Sequence, residues 1–372
     1  MELCILPASA NYQAILRNAP GSDARNVNGE AMSEKIRASG FKRAATLAEV
    51  ASIAQVSEIT VSRIIRNKGP IAEKTRERVL AAVQQVGYVP NRIAGSLASA
   101  GSNLMGVILP SLSNIVFPEV LRGVHDALGA SGYRPVVGVT DYDIDAEETL
   151  VQSLLAWKPA AMIIAGFDHT ASTRRMLANT GIRVAELMDI DSPAIDIAIG
   201  LSHRQAGYDS GKYLIGRGYR RFGYVGHDWT RDRRARLRYD GFCKALSEAG
   251  LALVGEANVD GPSSTLAGRD KLAELLVRKR RLDAVLFSND DMAIGGVFHC
   301  LSAGIALKER LAIFGFNGLE IGQALPMPLS TVRSNRYLIG RLAVEKILES
   351  PERSKTPITI DTGYEFVVGA TA

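Results

Sequence analysis

Apolar positions along this chain follow two different periods, and the change between them divides it. From Thr46 to Gly87 they recur at three- and four-residue intervals, the spacing of a helix face. T-L-A-E (Thr46 to Glu49) has the form of a capping box and predicts a short helix striped by Leu47, Val50, Ala51 and Ala54. A tight turn at Gln55-Val56 follows, and Ser57 caps a second helix with Val61, Ile64 and Ile65 inward. N-K-G-P (Asn67 to Pro70) interrupts the pattern. A third helix is predicted over about Glu73–Val86, with Val79, Leu80 and Val83 inward and Gly87 ending it. Three helices within residues 46–91, the first two joined by a tight turn, make an all-α helix-turn-helix module.

From Leu104 the text changes to short unbroken apolar runs separated by helical stretches. L-M-G-V-I-L-P, P-V-V-G-V, A-A-M-I-I-A-G, V-A-E-L-M and D-I-A-I-G predict one series of strands. R-F-G-Y-V-G, A-N-V-D (257–260), D-A-V-L-F-S and L-A-I-F-G-F predict a second. Helices are expected over Phe117–Ser131, Ala146–Trp157, Thr170–Thr180, Gly207–Arg217 and Gly268–Arg278. Strand and helix in alternation is the mark of parallel α/β sheets, and two series within 104–372 imply two lobes. A ligand would lie in the cleft beyond the carboxyl ends of the strands.

The remaining stretches carry neither period. Residues 1–45 are expected to be disordered, with Asn, Gly, Ser and Ala dominating from Asn18 to Ala31. M-E-L-C-I-L-P-A-S-A has no basic residues ahead of its apolar patch, so it makes a poor signal peptide, and Met32 is a plausible translation start. Val89 to Asn103 is small, polar and rich in Gly and Ser, with Leu97 isolated within it; residues 92–103 read as a linker or hinge.

Composition adds one decisive feature. At 47% apolar and 22% charged residues, the chain can bury a core, and none of its apolar runs approaches the ~18 residues of a membrane span. The net charge of +5 is all local: residues 42–101 hold nine Lys/Arg against four Asp/Glu, while the stretches before and after are balanced. A basic block of that size attracts a polyanion, DNA first. S-E-I-T-V-S-R (Ser57 to Arg63) places Ser57, Glu58, Ile59, Thr60 and Arg63 at the start and outer face of a helix able to enter a major groove.

Catalytic chemistry finds little support. There is no nucleophile elbow, Walker loop or dinucleotide fingerprint, and the five histidines have no ligand spacing, so no enzyme, cofactor or metal is expected. Asp141, Asp143, Asp145 and Glu147 alternate like a calcium loop, but Ala146 and Gln152 stand where Gly and Glu are required; a solvated helix start is the better reading. Cys4, Cys243 and Cys300 form no framework, which fits a reducing cytoplasm.

T-L-A-E-V-A-S-I-A-Q-V-S-E-I-T-V-S-R-I-I-R-N (Thr46 to Asn67) and T-R-E-R-V-L-A-A-V-Q-Q-V-G-Y-V-P-N-R-I-A-G-S-L (Thr75 to Leu97) resemble the lactose-repressor (LacI) family over about residues 46–370. The resemblance implies a helix-turn-helix headpiece, a hinge helix and a two-lobed core like that of periplasmic sugar-binding proteins, in homodimers or dimers of dimers on palindromic operator DNA. It makes Glu58 and Ile59 the specificity-setting pair and Leu97 a minor-groove wedge, with Thr46, Asn91 and Arg92 as further DNA contacts. Gln55 replaces the usual turn glycine and Ala72 the usual Ser cap.

Four core segments look like the gluconate-operon repressors of that family: Pro110 to Val124, Glu186 to Gly200, Ser288 to Gly295 and Gly315 to Gln323. R-L-R-Y-D-G-F (Arg236 to Phe242) matches the segment that supplies the ligand-binding arginine, here Arg238. Asp290 aligns with a hydroxyl acceptor, Phe117 with an apolar wall, and Asp189 and Asn317 with positions at the cleft or lobe crossover. The expectation is a cytoplasmic repressor of sugar-acid catabolism, released from its operator by an effector such as gluconate, with no membrane partner. A neutral sugar or a nucleobase is the alternative effector. A periplasmic sugar-binding protein is the rival class, disfavoured by the basic headpiece.

Overall fold

The computed structural model describes residues 45–66, 69–89, 102–230, 232–279 and 281–372, which form two units, Met1–Asn91 and Arg92–Ala372. The disorder expected before residue 45, and the expected contacts Asn91, Arg92 and Leu97 in the hinge, lie outside the described residues.

The first unit is three helices: α1 (Leu47–Ala54), α2 (Glu58–Ile65) and α3 (Glu73–Val86). The capping box is formed, with Thr46 Oγ1 accepting from Glu49 N and Glu49 Oε2 accepting from Thr46 N. Gln55 ends α1 in the left-handed region at φ 49°, a conformation costing a non-glycine residue on the order of 1 kcal/mol. Ala72 gives α3 no side-chain cap. Val50, Ala51, Ala54, Val61, Ile64, Val79 and Ala82 form the core. Leu80 is exposed, contrary to expectation: it lies one residue round the helix from the Val79–Ala82–Val83–Val86 face, and Ala82 takes the inward place.

The second unit contains two six-stranded sheets. Lobe 1 holds β1 (Leu104–Leu109), β2 (Arg134–Val139), β3 (Ala161–Ala165), β4 (Arg183–Leu187), β5 (Ile197–Gly200) and β11 (Ile358–Asp361), all parallel, in the order β11-β5-β4-β3-β1-β2. Lobe 2 holds β6 (Phe222–Gly226), β7 (Leu253–Asn258), β8 (Ala284–Phe287), β9 (Ala312–Asn317), β10 (Ser330–Ser334) and β12 (Tyr364–Val367), in the order β12-β10-β9-β8-β6-β7 with β12 antiparallel. The central strands are buried throughout, which explains their unbroken apolar runs. The chain passes between lobes three times, after β5, after β10 and between β11 and β12.

The helices are α4 (Val116–Leu128), α5 (Ile144–Ala156), α6 (Ala171–Asn179), α7 (His203–Gly216), α8 (Arg233–Glu248), α9 (Thr265–Arg278), α10 (Asp290–Ser302), α11 (Glu320–Gln323) and α12 (Arg336–Glu349). α7 starts four residues before the expected Gly207 because Ser202 caps it, accepting from Gln205 N. β7 starts at Leu253, ahead of the expected A-N-V-D.

Three helix pairs approach until backbone meets backbone. A Cβ on Gly207 of α7 would stand 1.9 Å from Arg238 O, and one on Gly241 of α8 would stand 2.0 Å from Arg204 O. Gly268 and Gly295 notch α9 against α10 in the same reciprocal way, and Gly123 and Gly340 notch α4 against α12. Gly241→Ala is therefore expected to cost about 1–3 kcal/mol through overpacking and to lower Tm by several degrees. Gly216→Ala, where a Cβ meets nothing within 4 Å, is expected to be neutral or stabilising in the same thermal melt.

Candidate functional sites: an exposed helix and a charged cleft

Within the first unit, α2 turns its polar start outward. Ser57 Oγ accepts from Thr60 N at 3.2 Å, which fixes the helix N-terminus. Ser57, Glu58, Ile59 and Arg63 are exposed and Thr60 is half-buried. Ile59 is 73% exposed, an apolar side chain that the three-helix core leaves outside. Arg63 lies against the backbone at Gly69, whose missing Cβ leaves room for the guanidinium. Thr46 uses its side-chain oxygen to cap α1.

In the second unit a cleft open to solvent lies between the lobes. Lobe 1 lines it with the segments that follow β1 to β4; lobe 2 contributes Thr230, Asp232, Arg233 and Arg234 from the turn into α8. All of these follow the carboxyl ends of parallel strands, the site such folds offer a ligand. Charge dominates: Asp143, Glu147, Asp168 and Asp189 line the lobe 1 side, facing Arg233 and Arg234. Arg233 reaches across, donating to Ser192 Oγ at 2.8 Å and standing 3.7 Å from Asp168 and 4.0 Å from Asp189. Arg234 is paired with Asp232 at 3.4 Å and lies over the Phe117 ring, 5.5 Å from its centroid. Burial raises the Asp232 carboxyl, but Arg234 and the His227 side chain more than offset this and hold it well below the usual carboxylate range. Asp189 titrates above its ordinary value, chiefly through burial.

The expected effector residues differ in their relation to this cleft. Asp189 lines it directly. Phe117 is fully buried in the lobe 1 core, with the cleft-lining Arg234 over its ring. Arg238 sits one helical turn behind Arg234: Nη1 lies 3.0 Å from His203 Nδ1, Nη2 donates to Ser288 O at 2.8 Å, and the guanidinium stacks on Phe316. Its Nε is buried with no partner.

Asp290 begins α10, with Asn289 as the cap, and is completely buried. It accepts from Leu319 N at 2.7 Å and Thr331 Oγ1 at 2.6 Å; burial pushes its carboxyl up to about 6 against those bonds. Asn317 ends β9 at φ 127°, and its carbonyl accepts from Arg336, which also pairs with Glu119 through two 3.0 Å bonds. Of these five residues Asp189 lines the cleft, Phe117 and Arg238 are buried behind the lining, and Asp290 and Asn317 hold the turns after β8 and β9.

Asp143, from the acidic alternation, caps α5 by accepting from Asp145 N and Ala146 N. Glu147 is bound differently: its Oε1 accepts from His169 Nδ1 at 2.7 Å, and His169 Nε2 stands 3.3 Å from Glu186 Oε1. Burial depresses the imidazole, but the two carboxylates outweigh it and push His169 up to about 9. Sequence reasoning missed this trio because its members come from three elements apart in sequence: α5, the segment after β3, and β4. It also passed over Arg233 and Arg234, although R-D-R-R-A-R-L-R (231–238) carries five arginines, and the four-residue spacing of Arg234 and Arg238 puts both on one face of α8.

A helix-turn-helix unit and a two-lobed unit with a charged cleft, in one chain, define a DNA-binding transcriptional regulator. Residues 46–91 match the profile of bacterial regulatory proteins of the lacI family, and residues 102–364 that of periplasmic binding proteins and the sugar binding domain of the LacI family. The chain belongs to the LacI family, whose regulators bind operator DNA and small-molecule effectors and act as dimers.

It is 38% identical to the HTH-type transcriptional regulator GntR of Pseudomonas aeruginosa, over 87% of this chain and 94% of that one. It is 34% identical to the regulator of the same name from Escherichia coli K12, over 88% and 98%. A crystal structure of a LacI family transcriptional regulator from Silicibacter pomeroyi superposes with a TM-score of 0.83 at 42% identity, covering 88% of this chain and 99% of that one. These relatives are regulators and not enzymes, as expected for this chain. Among the described residues, no helix is long and apolar enough to cross a membrane.

The His169 trio gives a pH dependence of defined sign. Its folded value of about 9 lies above the ordinary 6.5, so its contribution is fully present below about 6.5 and is lost as pH rises through 9. The Tm difference between the parent and His169→Gln should be large at pH 6 and shrink by about pH 10. A difference that stays constant over that range would show that the charge on His169 is not the stabilising element.

Proposed function

We propose that this regulator is a cytoplasmic, homodimeric repressor of sugar-acid catabolism, released from a palindromic operator by a sugar acid such as gluconate. One observation carries the reading: two arginines, Arg233 and Arg234, face lobe 1 carboxylates across one cleft. An acid bearing several hydroxyls satisfies both walls, carboxylate to guanidinium and hydroxyl to carboxylate, and leaves neither charge buried without a partner. The four core segments that resemble gluconate-operon repressors, and the likeness to two regulators named GntR, support the same assignment.

In this reading Arg238 supplies its unpaired Nε–H, Asp189 accepts a hydroxyl, and Phe117 backs the wall. Asp290 and Asn317 belong to the same effector site. Headpiece 46–91, hinge 92–103 and core 104–372 are the functional divisions. Glu58 and Ile59 read bases, Thr46, Ser57, Thr60, Arg63, Asn91 and Arg92 complete the DNA contacts, and Leu97 wedges the minor groove.

Gluconate and related sugar acids should release the operator in a mobility-shift assay, with glucose, ribose and guanine inactive at matched concentration. Release by a neutral sugar alone would refute the acid assignment. Arg238→Ala should abolish the response while DNA binding persists.

Exchanging Glu58 and Ile59 together should change which operator is preferred. Equal weakening on every sequence would mean the pair contacts only the backbone. Affinity should fall steeply with salt, since each neutralised phosphate releases counterions.

A further inference from the structure

The imidazole of His203 stands between the two lobes. It is the first residue of α7 in lobe 2, just past the crossing from β5, and is 3% exposed. Nε2 lies 2.7 Å from Met188 O, at the carboxyl end of β4 in lobe 1, and Nδ1 lies 3.0 Å from Nη1 of Arg238. A carbonyl can only accept, so Nε2 carries the proton. A guanidinium nitrogen can only donate, so Nδ1 is bare. Geometry alone therefore fixes both tautomer and charge. Burial and the nearby Arg238 cation hold the imidazole well below its usual range, which agrees with a neutral ring.

What the ring touches gives the arrangement its meaning. On one side it holds Arg238, whose other terminal nitrogen bonds Ser288 O and whose plane stacks on Phe316, 4.2 Å from the centroid. With both terminal nitrogens committed, the buried Nε–H is left without a partner, and a buried donor of that kind awaits an acceptor. On the other side it holds the carbonyl of Met188, a residue at φ 78°, and the next residue is the cleft carboxylate Asp189.

We propose that His203 is a positioning residue for the cleft: one imidazole, held as the Nε2–H tautomer, sets the Arg238 guanidinium of lobe 2 and the Met188–Asp189 peptide of lobe 1 in a single register. An effector that engages either group is thereby felt by the other, across the lobe boundary. The crossing does not depend on His203 for its integrity. Asp191 of lobe 1 separately accepts from Ser202 Oγ at 2.5 Å and Arg204 N at 3.0 Å, so variants at His203 keep a tether.

The ligand part of this proposal rests on the sugar-acid reading; the tautomer part does not. Nitrogen NMR of the full chain at neutral pH should show His203 with a protonated Nε2 and a bare Nδ1. Arg238→Lys should move the Nδ1 resonance and leave Nε2 in place. A proton on Nδ1, or an Nδ1 signal indifferent to Arg238→Lys, overturns the proposal.

Calorimetry with potassium gluconate should show His203→Leu binding about tenfold or more weakly than the parent, the loss of a hydrogen bond to a charged group. His203→Gln, which keeps a donor for Met188 O, should recover part of that loss and serves alone if the leucine variant does not fold. Parental affinity in both variants also overturns the proposal. A parent that binds no gluconate instead overturns the sugar-acid reading, and the NMR result then decides the role of His203 by itself.

Discussion

The contact of helix backbone with helix backbone is the constraint on which the two-lobed unit depends. In each of three pairs, glycines face the partner's carbonyl at a distance no Cβ could occupy. Close approach shortens the reach every side chain near the crossing must span. The α7–α8 crossing presses the Arg238 backbone onto Gly207, and only then can the guanidinium meet His203, a turn earlier on α7. The α4–α12 crossing likewise brings Arg336 onto Glu119. The charged groups at these crossings are thus placed by the absence of side chains elsewhere.

The electrostatics follow from that placement. Several of the ionic groups in and behind the cleft are buried and could not remain charged alone. They are arranged as short alternations: Asp232 between Arg234 and His227, and His169 between Glu147 and Glu186. The His169 alternation joins elements distant in sequence, so it acts as a staple as well as a neutraliser, whereas the Asp232 alternation is local to residues 227–234. Arg233 is half-buried and bridges the lobes with longer, weaker contacts. Such contacts exchange readily for a ligand's oxygens.

Local signals in the sequence were read well where the physics is local. The capping box at Thr46, the Ser57 cap and the left-handed turn at Gln55 each depend on a few adjacent residues. The buried strands announced themselves because double-sided burial leaves no room for polar alternation. β10 went unread because Ser330, Thr331 and Ser334 are buried polar residues, satisfied by partners such as Thr371 and Asp290 that no local window contains. Leu80 was misplaced by one helical position. The Glu147–His169–Glu186 trio was illegible for the same reason as β10: its members meet only when α5, the segment after β3, and β4 pack together.

The interleaving of the lobes has a consequence for how the protein is made. Lobe 1 draws its outer strand β11 from the far end of the chain, where Ile358 pairs with Ile197. After two residues beyond the end of β11 the chain enters β12, which closes an edge of lobe 2 against β10. Neither sheet corresponds to a continuous stretch of sequence, and both receive an edge strand from the same terminal segment. During synthesis each lobe must wait with an open edge until that segment emerges, so the two reach completion together. Such long-range closure slows folding. It also makes the last strands a shared checkpoint: a chain cut short before them leaves two unpaired sheet edges, the kind of surface on which aggregation begins.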